Sequence, residues 1–153
     1  MKTKKRILFL CTGNSCRSQM AEGWVRALKG DQMEPYSAGI EKHGLDPKAV
    51  KVMAEAGVDI GNQRSKTLEE LPVKEFDYVV TVCDGAAKGC LFIEAKAKMI
   101  HVSFDDPPKL AQWARNETEA LGHYRRVRDE IRAFVLTLPQ ALNLNHPPFK
   151  KIG

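Results

Sequence analysis

Four consecutive apolar residues, Ile7 to Leu10, break off at a run of small and polar residues, the pattern of a short strand buried on both faces. Three-to-four spacing follows in Met20, Ala21, Trp24, Val25 and Leu28, predicting a helix that begins near Ser18 and stops near Gly30. A short strand is expected around Tyr36 and Ser37, then a turn-rich piece with Gly39 and Gly44. Pro47 opens a second helix with Ala49, Val50, Met53 and Ala54, and Gly57 closes it. Beyond Ser65 and Thr67, a short helical segment from Leu68 to Leu71 is cut by Pro72. The β-branched run from Asp77 to Cys83 predicts another buried strand, and Met99 to Phe104 a weaker one. Residues 109–116 read as loop or a short irregular helix. Asn116, with Glu119 three residues on, resembles a capping box for a long helix striped by Leu121, Tyr124, Val127, Ile131, Phe134 and Leu138 up to Pro139.

Strands alternating with helices predict an α/β fold with a mostly parallel sheet of about four strands. No repeat or linker divides the chain, so one domain is expected over residues 1–153, with 1–6 and 143–153 as loosely ordered tails. In such sheets ligands bind beyond the carboxyl ends of the strands, where the strand order reverses. The reactive residues fall at those exits: Cys11 after the first strand, Cys83 after the third, Asp106 after the fourth.

The formal net charge of +5 favours encounter with small anions and is too dispersed to mark a nucleic-acid surface. No apolar run reaches membrane-spanning length, and the basic start before Ile7 lacks the apolar core and cleavage site of a signal peptide. The chain is therefore read as cytoplasmic. There, four cysteines point to catalysis or metal rather than a static disulfide framework. The spacing of Cys83 and Cys90 is wide for a structural zinc pair, and no metal or bound cofactor is expected.

Cys11-Thr-Gly-Asn-Ser-Cys-Arg17-Ser18 joins a strand end to a helix start. A tight loop there aims successive backbone N–H groups into one concavity, and the helix N-terminus adds positive potential. Thr12, Gly13, Asn14, Ser15, Cys16, Arg17 and Ser18 thus form a candidate cradle for a tetrahedral oxyanion. Gly13 and Asn14 suit positive φ, and Arg17 offers a planar fork of donors. In that field Cys11 loses its proton more easily and becomes a nucleophile. Ser18 either caps the helix or bonds the Cys11 thiolate. Asp106 reads equally as a general acid facing the cradle or as a turn residue before Pro107, with Asp105 the weaker candidate. Cys83 and Cys90 bracket Asp-Gly-Ala-Ala-Lys-Gly, a connection with which two sulfurs can approach, so that a thiol relay starting at Cys11 accounts for them better than inert packing does. The four histidines form no ligand spacing, and Trp113 is read as a surface residue beside the site.

These motifs, with Tyr36-Ser-Ala-Gly-Ile40, Phe104-Asp-Asp-Pro107 and Arg126-Val-Arg-Asp-Glu-Ile131, closely resemble the thioredoxin-coupled arsenate reductases, built on the fold of the low-molecular-weight protein tyrosine phosphatases. The likeness runs from about Ile7 to Leu138. It implies a three-layer α/β/α sandwich with a four-stranded parallel sheet, and a monomeric enzyme reducing arsenate to arsenite, with phosphate or sulfate as competing anions. Carried over by residue, Cys11 attacks arsenic in the anion held by Arg17 and the loop, and Asp106 protonates the departing oxygen. Cys83 attacks Cys11 and releases arsenite, Cys90 attacks Cys83, and thioredoxin reduces the resulting Cys83–Cys90 disulfide. Cys16 matches a position without a relay step. Some relatives bind potassium through residues matching Asn14, Glu22, Ser37 and an aspartate. Here Lys66, within Gln-Arg-Ser-Lys, stands at the last position, suggesting a lysine in place of the metal.

The competing class is a phosphotyrosine phosphatase using Cys11, Arg17 and Asp106 alone. It leaves Cys83 and Cys90 without a role, and Pro108-Lys109-Leu110 lacks the aromatic grip for a phenyl ring. A non-catalytic anion-binding module leaves Asp106 and the second cysteine pair unexplained.

Overall fold

A computed structural model describes residues 4–82 and 97–143. The chain runs β1 (Lys5–Cys11), α1 (Arg17–Lys29), β2 (Met33–Gly39), α2 (Pro47–Glu55), a 3-10 turn (Leu68–Glu70), β3 (Tyr78–Thr81), β4 (Lys98–His101), α3 (Pro107–Ala111), α4 (Glu117–Leu136) and a closing 3-10 turn (Gln140–Asn143). Cys83, Cys90 and most of the expected C-terminal tail lie outside the described residues.

The four strands form one parallel sheet in the order β2-β1-β3-β4. The order reverses at β1, which sends one crossover toward β2 and leaves β3 on its other side, so the end of β1 opens at the position where doubly wound sheets bind ligands. Ile7, Leu8, Phe9 and Leu10 are all fully buried. Since successive side chains point to opposite faces, both faces of β1 are covered, as the expected layered α/β fold requires. β1 begins at Lys5, earlier than the apolar run suggests, because Lys5 and Arg6 pair with Met33 and Glu34. Those two residues, expected in a loose tail, are therefore strand residues.

The longest helix earns its length from its stripe. Asn116 accepts from the Glu119 N–H at 2.9 Å, capping α4, and Leu121, Tyr124, Val127, Ile131 and Phe134 are buried along one face. Pro47 at the first position of α2, with Asp46 capping it, and Gly57 at φ +86° behind its end match the expected start and stop. The stretch expected as loop or irregular helix yields only the five-residue α3, which Pro107 and Pro108 open. Among the described residues no helix is long and apolar enough to cross a membrane.

Candidate active site

The loop from Thr12 to Cys16 leaves β1 and enters α1 at Arg17. Its carbonyls are tied down along the outside by the segment after β2. Ile40 N–H donates to Cys11 O (3.3 Å), Glu41 to Thr12 O (3.0 Å), His43 to Gly13 O (2.9 Å) and Asp46 to Ser15 O (3.0 Å). A peptide plane whose carbonyl points one way carries its N–H the other way. Each tied carbonyl thus sets the following N–H on the opposite side of the loop, an arrangement that an anion nest requires.

Asn14 has φ +48° and is fully buried. Its side chain repays that backbone cost with three bonds: Nδ2 donates to Ser18 Oγ (2.9 Å), while Oδ1 accepts from Gln19 Nε2 (2.9 Å) and from the Lys66 N–H (2.9 Å). Gln19 also donates to the Asn14 and Arg64 carbonyls and accepts from Gln63, so a buried amide network braces the loop from behind. Sequence reading missed this network, because its partners are separated by up to 52 residues. Ser18 lies inside α1 and serves Asn14; Cys16 takes the N-cap position without a side-chain cap bond, which corrects the capping role considered for Ser18.

Gly13 and Gly39 answer to contact rather than φ. Gly13 is not in the left-handed region. A Cβ there would stand 2.3 Å from His43 Nδ1, so it is small because the His43 ring packs on it. A Cβ on Gly39 would meet Glu41 O at 2.3 Å, Thr12 O at 2.8 Å and Asn14 N at 2.9 Å, all backbone. Gly39→Ala is therefore expected to cost about 2 kcal/mol or more of stability, as overpacking of a rigid site does, and to weaken oxyanion binding. Thermal unfolding and phosphate titration check this; an unchanged melting temperature with unchanged phosphate affinity would refute it.

Cys11 and Cys16 are both buried thiols. Burial pushes Cys16 well above the ordinary thiol range, and the Asp46 carboxylate adds to this while Arg17 opposes it. Cys16 accordingly stays protonated. Arg17 Nη1 donates to Phe104 O (3.0 Å), and its Nη2 stands 3.6 Å from Asp106 Oδ2. The Phe104 ring packs edge-to-face on Phe134 of α4, which fixes the carbonyl that holds Arg17. The structure separates the two aspartates: Asp106 faces Arg17, whereas Asp105 pairs with Arg126 of α4 at 3.0 Å. Trp113, beyond α3, is 81% exposed.

Lys66 enters from the other side. Its Nζ stands 3.7 Å from Glu22 Oε1 and 3.5 Å from Ser37 Oγ, and donates to Arg64 O at 2.9 Å. Ser37 donates to the same Glu22 oxygen at 2.5 Å, and Arg26 holds the other Glu22 oxygen. Burial pushes the Lys66 pKa down and the Glu22 carboxylate pushes it back up. With two cations already on Glu22, these residues do not fit a third, metallic one.

A thiol at the end of the first strand, an arginine heading the first helix and a peptide nest between them define a protein of the low-molecular-weight phosphatase class. The chain belongs to the family described as low molecular weight phosphotyrosine protein phosphatase, whose model matches residues 6–147. Within it, the chain is 50% identical over 127 residues to the arsenate reductase of Bacillus subtilis, covering 83% of this chain and 89% of that one. It is 48% identical over 137 residues to that of Halalkalibacterium halodurans, covering 90% and 96%. A solved structure described as an arsenate reductase in the phosphate binding state matches with a TM-score of 0.66 at 27% identity, covering 91% of this chain and 99% of that one.

Proposed function

We propose that this protein reduces arsenate to arsenite in the cytoplasm, as a monomer, through the thiols of Cys11, Cys83 and Cys90, with thioredoxin supplying the electrons. The observation that carries the relay is a backbone bond. The Val82 N–H donates to Leu10 O at 3.0 Å, so the residues just before Cys83 and just before Cys11 are hydrogen-bonded neighbours. Hydrolysis of a phosphate ester ends with water and gives Cys83 and Cys90 no role.

Arsenate enters the nest with Arg17 gripping its oxygens, and the Cys11 thiolate attacks arsenic while Asp106 protonates the departing oxygen, which leaves as water. The Cys83 thiolate then attacks Cys11 Sγ. The S–As bond breaks with its electron pair staying on arsenic, so As(V) leaves as arsenite and two cysteines are oxidised to a disulfide. Cys90 attacks Cys83 and frees Cys11, and the Cys83–Cys90 disulfide is reduced by thioredoxin. Phosphate and sulfate compete for the same nest. The test is arsenite formation with thioredoxin, thioredoxin reductase and NADPH, beside hydrolysis of an aryl phosphate. Arsenate-dependent NADPH oxidation far above the rate of ester hydrolysis is expected; rapid hydrolysis without arsenite would select the phosphatase.

Lys66 serves, in this reading, as a tethered cation that steadies Glu22, Ser37 and, through its own N–H, Asn14. An ammonium is compact enough to take that place. Replacing potassium by sodium at constant ionic strength is then expected to change turnover by less than about twofold, with screening of the anionic substrate held fixed. Lys66→Asp weakens the enzyme in sodium and recovers part of the loss in potassium. A wild-type enzyme activated several-fold by potassium and not by sodium would contradict this role.

A further inference from the structure

The outer ladder that orients the loop needs an anchor at each end. At one end the ladder grows directly from β2. At the other it finishes on Asp46, where four bonds meet. The Asp46 N–H donates to Ser15 O at 3.0 Å, its carbonyl accepts from Val50 N–H at 3.1 Å, Oδ1 accepts from Lys48 N–H at 2.9 Å, and Oδ2 accepts from the Tyr124 hydroxyl at 2.6 Å. Capping α2 uses only one carboxylate oxygen. The other reaches across 78 residues of sequence to the middle of α4.

Tyr124 occupies a core position on the α4 stripe, 3% exposed, where an aliphatic residue would fill the space without a polar atom. A buried hydroxyl must find a partner, and a short bond to a carboxylate is among the strongest available. Burial and the Asp46 carboxylate both push the Tyr124 pKa up, so the hydroxyl remains a donor.

We infer that Tyr124 and Asp46 are positioning residues for oxyanion binding: the hydroxyl on α4 locks the Asp46 carboxylate, and Asp46 in turn holds the Ser15 peptide so that the second half of the loop keeps its amides on the anion. This rests on the loop being the oxyanion site. The same carboxylate has a second consequence. With burial, its negative charge pushes the Cys16 pKa up. A thiolate at Cys16 would repel the anion that the nest is built to hold.

The test is calorimetric titration of the reduced, full-length protein with inorganic phosphate. Tyr124→Phe keeps the ring and removes only the donor; it is expected to raise the phosphate dissociation constant about tenfold. Arg125→Gln on the same helix is the control. It removes the paired bonds from Arg125 to Glu55 (2.8 and 2.9 Å), a tie between α4 and the far end of α2. That variant is expected to bind phosphate as the wild type does, whatever its melting temperature. Should Tyr124→Phe fail to fold, Asp46→Asn replaces it, keeping an oxygen for the Lys48 N–H but not the charge, with the same weakening expected. Unchanged phosphate affinity in the variant, or equal weakening in Arg125→Gln, would overturn the inference. A wild-type protein that does not bind phosphate would instead overturn the reading of the loop itself.

Discussion

Cys11→Ser is expected to abolish arsenate reduction and aryl-phosphate hydrolysis together, each by about a thousandfold or more, as removal of a nucleophile does. The serine hydroxyl is nearly isosteric with the thiol and preserves the loop. It does not ionise near neutral pH even beside Arg17 and the N-terminus of α1. Oxyanion binding should survive, since the Thr12 to Ser18 amides and the Arg17 guanidinium are untouched. Cys83→Ser divides the two activities. It is expected to stop reductase turnover and spare ester hydrolysis, because the phosphatase cycle ends with water whereas reduction needs a thiol to take Cys11 from arsenic. Parallel assays of arsenite formation and aryl-phosphate hydrolysis on both variants decide this. Arsenate turnover by Cys83→Ser with thioredoxin at the wild-type rate would refute the relay.

The parts of the fold that were legible in the sequence are those whose cause is local. Pro47 and Gly57 delimit α2 through their own backbone restrictions, and Asn116 caps α4 with a bond spanning three residues. The buried run Ile7 to Leu10 announced β1 because both faces of that strand are covered. The candidate loop stood out for the same reason: Cys11, the residues after it and Arg17 lie within seven residues. Boundaries set by partners were not. Lys5 and Arg6 carry no strand signal and join β1 because β2 offers them a ladder, while β3 stops at Thr81, two residues before Cys83.

The misread residues share one physical origin, which is contact with a distant segment. Gly13 suggested positive φ, but its smallness answers the His43 ring, and Gly39 in a turn-rich stretch proved to be a strand residue jammed against Thr12 and Asn14. Ser18, read as either a cap or a partner of the Cys11 thiolate, is not the cap and accepts from Asn14. Asp106 and Asp105 are neighbours that sequence ranks only weakly, yet Arg17 and Arg126 draw them apart. Asp46 and Tyr124 gave even less away. An aspartate before Pro47 reads as an ordinary helix cap and a tyrosine on an apolar stripe as core; only their meeting shows a link from α4 to the loop.

The most direct measurement counts arsenite from Cys90→Ser. In the proposed order of attack, Cys90 acts after arsenite has left, so this variant is expected to release about one arsenite per enzyme molecule and then stall with Cys11 joined to Cys83. Rapid-quench counting of arsenite, followed by non-reducing peptide mapping, reads both quantities on one sample. The account predicts a single-turnover burst and a Cys11–Cys83 cross-linked peptide; continued turnover with thioredoxin, or Cys11 still a thiol after exposure to arsenate, would contradict it.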